Sequence, residues 1–95
     1  MKDTVQAIFG SVLRKYRLQQ KLSQEKVAEL ANLDRTYISQ IERGLKSPSI
    51  KALIALAQAL QIKAHILIFE AENELDKYLD QGKQKDENCN QGAID

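Results

Sequence analysis

The sequence predicts an all-α domain of five helices. Three observations carry that prediction. Apolar residues recur at three- and four-residue steps over most of the first 80 positions, and short polar breaks separate the runs. Only one stretch, Ile62 to Phe69, is rich enough in β-branched residues to compete as a strand.

Val5, Ile8, Phe9, Val12, Leu13 and Tyr16 set a first helix from Thr4 to Gln20, with Asp3 or Thr4 as its cap. Gly10 within it costs about 1 kcal/mol relative to Ala, and a close helix crossing would justify keeping it. Ser23 caps a short second helix through Ala31, with Val27, Leu30 and Ala31 facing inward. The break Asn32, Leu33, Asp34 reverses the chain. Asn tolerates the left-handed conformation of a helix end, and Asp34 accepts bonds from the free amides of the next helix. That third helix runs from Arg35 to Arg43 and stops at Gly44.

Lys46, Ser47 and Pro48, the only proline, form a loop. A fourth helix from Ser49 to Leu60 buries Ile50, Leu53, Ile54, Ala57 and Leu60. For the last element a helix from Ala64 to Leu79 is preferred over a strand, since Leu75 and Leu79 keep the four-residue spacing and Glu70, Glu72, Glu74 and Asp76 suit an exposed side. These expectations divide the chain into a folded unit, residues 1–79, and a flexible polar tail, residues 80–95, whose single large apolar residue cannot offset the entropy of ordering.

A chain of 95 residues can bury a modest core but not a core plus a roomy cleft. No uninterrupted apolar run, Ile66 to Phe69 included, approaches the roughly 20 residues a membrane span needs, and the N-terminal residues do not follow a signal-peptide pattern. One cysteine, Cys89, forbids an internal disulfide, which fits a reducing cytoplasm. The net charge of +1 hides a split. Residues 1–63 carry 11 Lys or Arg against 5 Asp or Glu, whereas residues 64–95 carry 3 against 8. The basic part is therefore the part with the short helices, as a nucleic-acid contact face requires, although a solvated basic face looks the same.

Helix three carries the most specific chemistry. At about 100° per residue, Arg35, Thr36, Ser39, Gln40 and Arg43 fall in one arc of roughly 140°, with Ile38 and Ile41 opposite. A helix in the major groove touches bases with its N-terminal residues. Arg35 suits the O6 and N7 acceptors of guanine, Thr36 a thymine methyl or polar edge, Ser39 permits close approach, and Gln40 suits adenine. These four are the base-reading candidates for double-stranded DNA. Phosphate contacts are assigned to Gln24, at a helix start where free amides favour an anion, to Arg43, Lys46 and Ser47 past the far end, and to Tyr37, which either packs or offers its hydroxyl.

The run of Leu13, Arg14, Arg17, Leu22, Ser23, Gln24, Val27, Ala28, Leu30, Ala31, Ile38, Ser39, Ile41, Glu42, Gly44, Pro48, Ser49, Ile50, Leu53, Ala57 and Leu60 resembles the phage-repressor-like, or XRE, helix-turn-helix family from about Gly10 to Ile62. Asn32 to Ser39 look most like the controller proteins of restriction-modification systems. The resemblance implies a compact, five-helix, lambda-repressor-like DNA-binding domain that dimerises and acts on transcription, and a partly buried ion pair between Arg17 and Glu42. Asn32 stands where many relatives have Gly, and the acidic extension after Phe69 is longer than a minimal controller needs.

Ile66, Leu67, Ile68 and Phe69 surround most of a helix turn, more than one core-facing stripe buries, so they are assigned to a homodimer interface, with burial in the monomer core as the alternative. His65 reads as structural, because a lone His completes no metal site. The function expected is a sequence-specific repressor or activator binding a palindromic operator as a homodimer. For an activator, RNA polymerase becomes a candidate partner. Two rivals stay open: the antitoxin of a toxin pair, its acidic segment neutralising a basic partner, and a protein-interaction coactivator without base specificity. An enzyme is least expected, since no catalytic cluster or Gly-rich phosphate loop stands out, and no cofactor, metal, small-molecule substrate or membrane partner is implied.

Overall fold

The computed structural model describes residues 3–83, which form five α-helices: α1 Thr4–Gln19, α2 Gln24–Ala31, α3 Arg35–Glu42, α4 Ile50–Ala59 and α5 Ala64–Lys83. Each of the first four begins at a side chain that satisfies otherwise free amides. Asp3 accepts from Val5 N at 2.9 Å and Gln6 N at 3.1 Å, Ser23 from Lys26 N at 2.9 Å, Asp34 from Thr36 N at 3.0 Å and Ser49 from Ala52 N at 3.1 Å.

The same four helices also end alike. Leu22 N donates to Arg17 O, Leu33 N to Ala28 O, Leu45 N to Gln40 O and Ile62 N to Ala57 O, all between 2.8 and 3.1 Å. The residue before each donor is left-handed: Lys21 (φ 60), Asn32 (φ 57), Gly44 (φ 76) and Gln61 (φ 60). This is the Schellman ending, repeated four times with a single glycine.

Helix α1 packs against α3 and α5, α2 against α3 and α4, and α4 against α5, across a break that turns the chain by 104°. Leu13, Val27, Ile38, Ile41, Leu56, Leu60 and Leu67 lose all contact with solvent at the centre. Gly10 lies at the crossing of α1 and α3, where a Cβ would collide with the carbonyl oxygens of Ile41 and Glu42. Close to the other side of that crossing, a Cβ on Gly44 would stand 2.9 Å from Ala7 Cα. The Gln20 amide donates to the Leu60 carbonyl and ties the ends of α1 and α4.

Several faces differ from the sequence expectation. Ile50 and Ile54, assigned to the α4 core stripe, are 73% and 47% exposed, and Ala52, Leu56 and Ala59 are buried with Leu53, Ala57 and Leu60. The reason is composition: α4 is apolar nearly all round, so periodicity alone cannot choose its inner face. On α2, Leu30 is 51% exposed and Ala28 is buried, because the smaller side chain takes the position nearer the neighbouring helices. Leu67 is fully buried, so it belongs to the core and not to a surface between copies; Ile66 is half-buried, and only Ile68 and Phe69 of the four stand exposed. Helix α5 passes Leu79 and takes in residues 80–83, so the expected boundary falls inside a helix. The remaining tail, with Cys89, lies outside the described residues. No single helix among those described is long and apolar enough to cross a membrane.

Candidate nucleic-acid interface

Helix α3 is short, but it is pinned from behind. Ile38 and Ile41 point into the core with no exposed surface, which turns the opposite flank outward. Arg35, Thr36 and Arg43 are exposed on that flank, and Ser39 and Gln40 are half-buried between them. The four base-reading candidates thus share one surface. Arg35 and Thr36 follow directly on the Asp34 cap, at the end of the helix that meets base edges when a helix enters a major groove.

The phosphate-contact candidates divide into two groups. Arg43, Lys46 and Ser47 are exposed at and beyond the C-terminal end of α3, leading into the Ser49 cap of α4. Gln24 stands at the other end, as the first residue of α2. Tyr37 is half-buried and packs against the core, and its hydroxyl accepts from Ser49 N at 3.3 Å. Of the two roles considered for Tyr37, packing is therefore realised, and the hydroxyl braces the loop that carries Lys46 and Ser47.

A buried ion pair fastens the frame. Arg17 Nε donates to Glu42 Oε2 at 2.7 Å and Nη2 to Oε1 at 3.0 Å, a two-pronged contact that matches the planar guanidinium to the carboxylate. Arg17 Nη1 also donates to the Leu22 carbonyl at 2.8 Å, so one side chain links α1, the loop before α2, and the end of α3. The Glu42 side chain is only 2% exposed. Its hydrogen bond holds the Arg17 pKa above the ordinary guanidinium value, against the opposing effect of burial.

The pair anticipated from the family resemblance has a third member that sequence reasoning missed. Gln24 Nε2 donates to Glu42 Oε1 at 3.0 Å, and Gln24 Oε1 accepts from Arg35 Nη1 at 3.5 Å. No sequence spacing announces this contact, because it joins residues 18 and 11 positions apart through the packing of α2 on α3. Also missed was the exposure of Ile50 and Ile54 on α4, which adds to the exposed Ile68 and Phe69 of α5. Ile50 and Ile68 line one apolar depression of about 260 Å³ with Val5, Phe9 and Leu53.

Comparison with known proteins places this geometry among relatives. The family model described as helix-turn-helix matches residues 13–67. The transcriptional regulator ClgR of Mycobacterium tuberculosis is 35% identical over 71 residues, which cover 75% of this chain and 63% of that protein. The chain thus spans less than two thirds of that regulator's length. Control protein C.BamHI of Bacillus amyloliquefaciens is 36% identical over 69 residues, covering 72% of this chain and 85% of its own. Among solved structures, the restriction-modification controller protein C.AhdI from Aeromonas hydrophila superposes with a TM-score of 0.64 at 40% identity, over 65% of this chain and 94% of that one.

Proposed function

The chain belongs to the XRE-type helix-turn-helix family of transcriptional regulators, close to the restriction-modification controller proteins, and from that premise we propose that it acts as a homodimer reading a palindromic operator in double-stranded DNA. The observation that carries the reading is the outward polar flank of α3, with Arg35 and Thr36 leading it and Ile38 and Ile41 anchoring it. Arg35, Thr36, Ser39 and Gln40 read base edges. Gln24, Arg43, Lys46 and Ser47 fix register on the phosphates, with Tyr37 supporting from within.

Dimerisation follows from surface chemistry. Ile50 and Ile54 on α4 and Ile68 and Phe69 on α5 leave between 41% and 73% of their surface in water, and covering what remains of each contributes about 1–2 kcal/mol. A second copy related by a twofold axis covers them with the same four residues. It also brings a second α3 to lie about 34 Å from the first, one turn along the duplex. Repression or activation then depends on where the operator lies relative to a promoter.

Selection of bound duplexes from a random pool, followed by measurement of stoichiometry on the winning sequence, tests the proposal. An inverted repeat bound by two protomers is expected. A pool that returns no motif, or one protomer on an asymmetric site, overturns it.

A further inference from the structure

A carboxylate stands among the exposed apolar side chains of α5. At about 100° per residue, Glu72 falls between Ile68 and Phe69 around the helix, one turn further along, and all three are exposed. With Ile50 and Ile68 it also lines the apolar depression between α1, α4 and α5. Whatever covers Ile68 and Phe69 therefore draws water away from Glu72, and a carboxylate so covered must meet a cation. Helix α4 carries one charged residue, Lys51, on the exposed face that also holds Ile50 and Ile54. Among the described residues, neither Lys51 nor Glu72 takes part in an ion pair of its own, whereas Lys77 of α5 is held by Glu74 at 3.4 Å.

We propose that a second copy of this chain covers these faces in a crossed arrangement, α4 of each protomer against α5 of the other, with its register fixed by an ion pair between Lys51 and the partner's Glu72. The inference rests on the homodimer reading and adds which helices meet. Charge decides between the arrangements. Setting α4 against α4 brings lysine toward lysine, and α5 against α5 brings the exposed Glu72 and Asp76 toward their own copies. Like charges facing each other across an interface are strongly disfavoured. The crossed arrangement neutralises both and lets Ile50 and Ile54 meet Ile68 and Phe69, so apolar burial supplies the attraction and the ion pair the register.

The dimer dissociation constant of the full chain, measured by sedimentation at low salt without DNA, tests this. Lys51→Glu and Glu72→Lys should each raise it by about ten- to a hundredfold. Helical circular dichroism should be retained, because both side chains face water in the single chain. The double variant should return to within about threefold of the unaltered chain, and a mixture of the two single variants should form a heterodimer tighter than either homodimer. Lys63→Glu, the same charge change in the connection between α4 and α5, should shift the constant by less than about threefold. Single variants that dimerise like the unaltered chain overturn the inference. So does a double variant no better than the singles, or rescue of Glu72→Lys by Lys63→Glu. An unaltered chain that stays monomeric with and without the selected duplex ends the homodimer reading itself, and that outcome is separate.

Discussion

Arg17 shows how one side chain can decide whether the reading surface exists. It is buried, yet it meets a two-pronged carboxylate partner and a backbone carbonyl, so the charge is compensated where it lies. Removing one partner leaves the other charged and uncompensated. Glu42→Ala is expected to cost about 3–5 kcal/mol, measured as the shift in urea midpoint by circular dichroism at one fixed protomer concentration. The double substitution Arg17→Met with Glu42→Leu replaces both charges by apolar volume, and should recover most of that loss. A double variant no more stable than the single would show that the cost of Glu42→Ala arises elsewhere. Because Glu42 raises the Arg17 pKa, the arginine's contribution is fully present below the ordinary guanidinium value and is lost only as pH rises through the higher folded value. Between about pH 6 and 9 Arg17 stays charged in both states, so it adds no step to a stability profile over that range.

Helix ends are the most legible part of this sequence, and helix faces the least. Ser23 and Asp34 announce their helices because a short polar side chain before an apolar-periodic run has one local use, and each is found capping, as is Asp3, one of two candidates at α1; Ser49, expected as the first residue of its helix, caps it instead. Asn32 likewise tells of a left-handed ending. The faces of α2 and α4 are settled by packing, a tertiary effect that periodicity cannot see when Leu30 competes with Ala28, or Ile54 with Leu56. The Gln24 link is invisible for the same reason, whereas the Arg17–Glu42 pair was reached through family resemblance. The two unannounced left-handed residues, Lys21 and Gln61, lead to a prediction. Each carries a Cβ in a conformation that costs an L-residue about 1–2 kcal/mol, and glycine avoids that cost while giving back part of it as unfolded-state entropy. Lys21→Gly and Gln61→Gly should each stabilise the fold by about 0.5–1 kcal/mol, seen as a higher urea midpoint. A lower midpoint in either would mean that the side chain contributes more than the strain it imposes.

At the scale of the molecule, the charge split follows the packing. The acidic residues Glu72, Glu74, Asp76 and Asp80 are exposed on α5, which packs on α1 and α4, whereas α3 packs on α1 and α2. Acidic and reading surfaces thus share α1 as a support and otherwise rest on different helices, with Lys15 and Glu70 forming an ion pair at 3.7 Å between α1 and α5. The exposed apolar side chains Ile50 and Ile54 belong to α4, and Ile68 and Phe69 to α5. If they join two copies, Ile54→Asp and Phe69→Asp act on assembly and not on the fold, because both side chains already face water in the single chain. Each is expected to retain its helical circular dichroism and to sediment as a monomer at micromolar concentration. Operator affinity should then fall by about 10²–10⁴, since the second half-site no longer binds as part of one tethered unit. Affinity for an isolated half-site should stay within about twofold of the unaltered chain, because the α3 flank is untouched. A dimer that persists in both variants would move the interface elsewhere, and a parallel loss of half-site binding would show that this surface also shapes the reading helix.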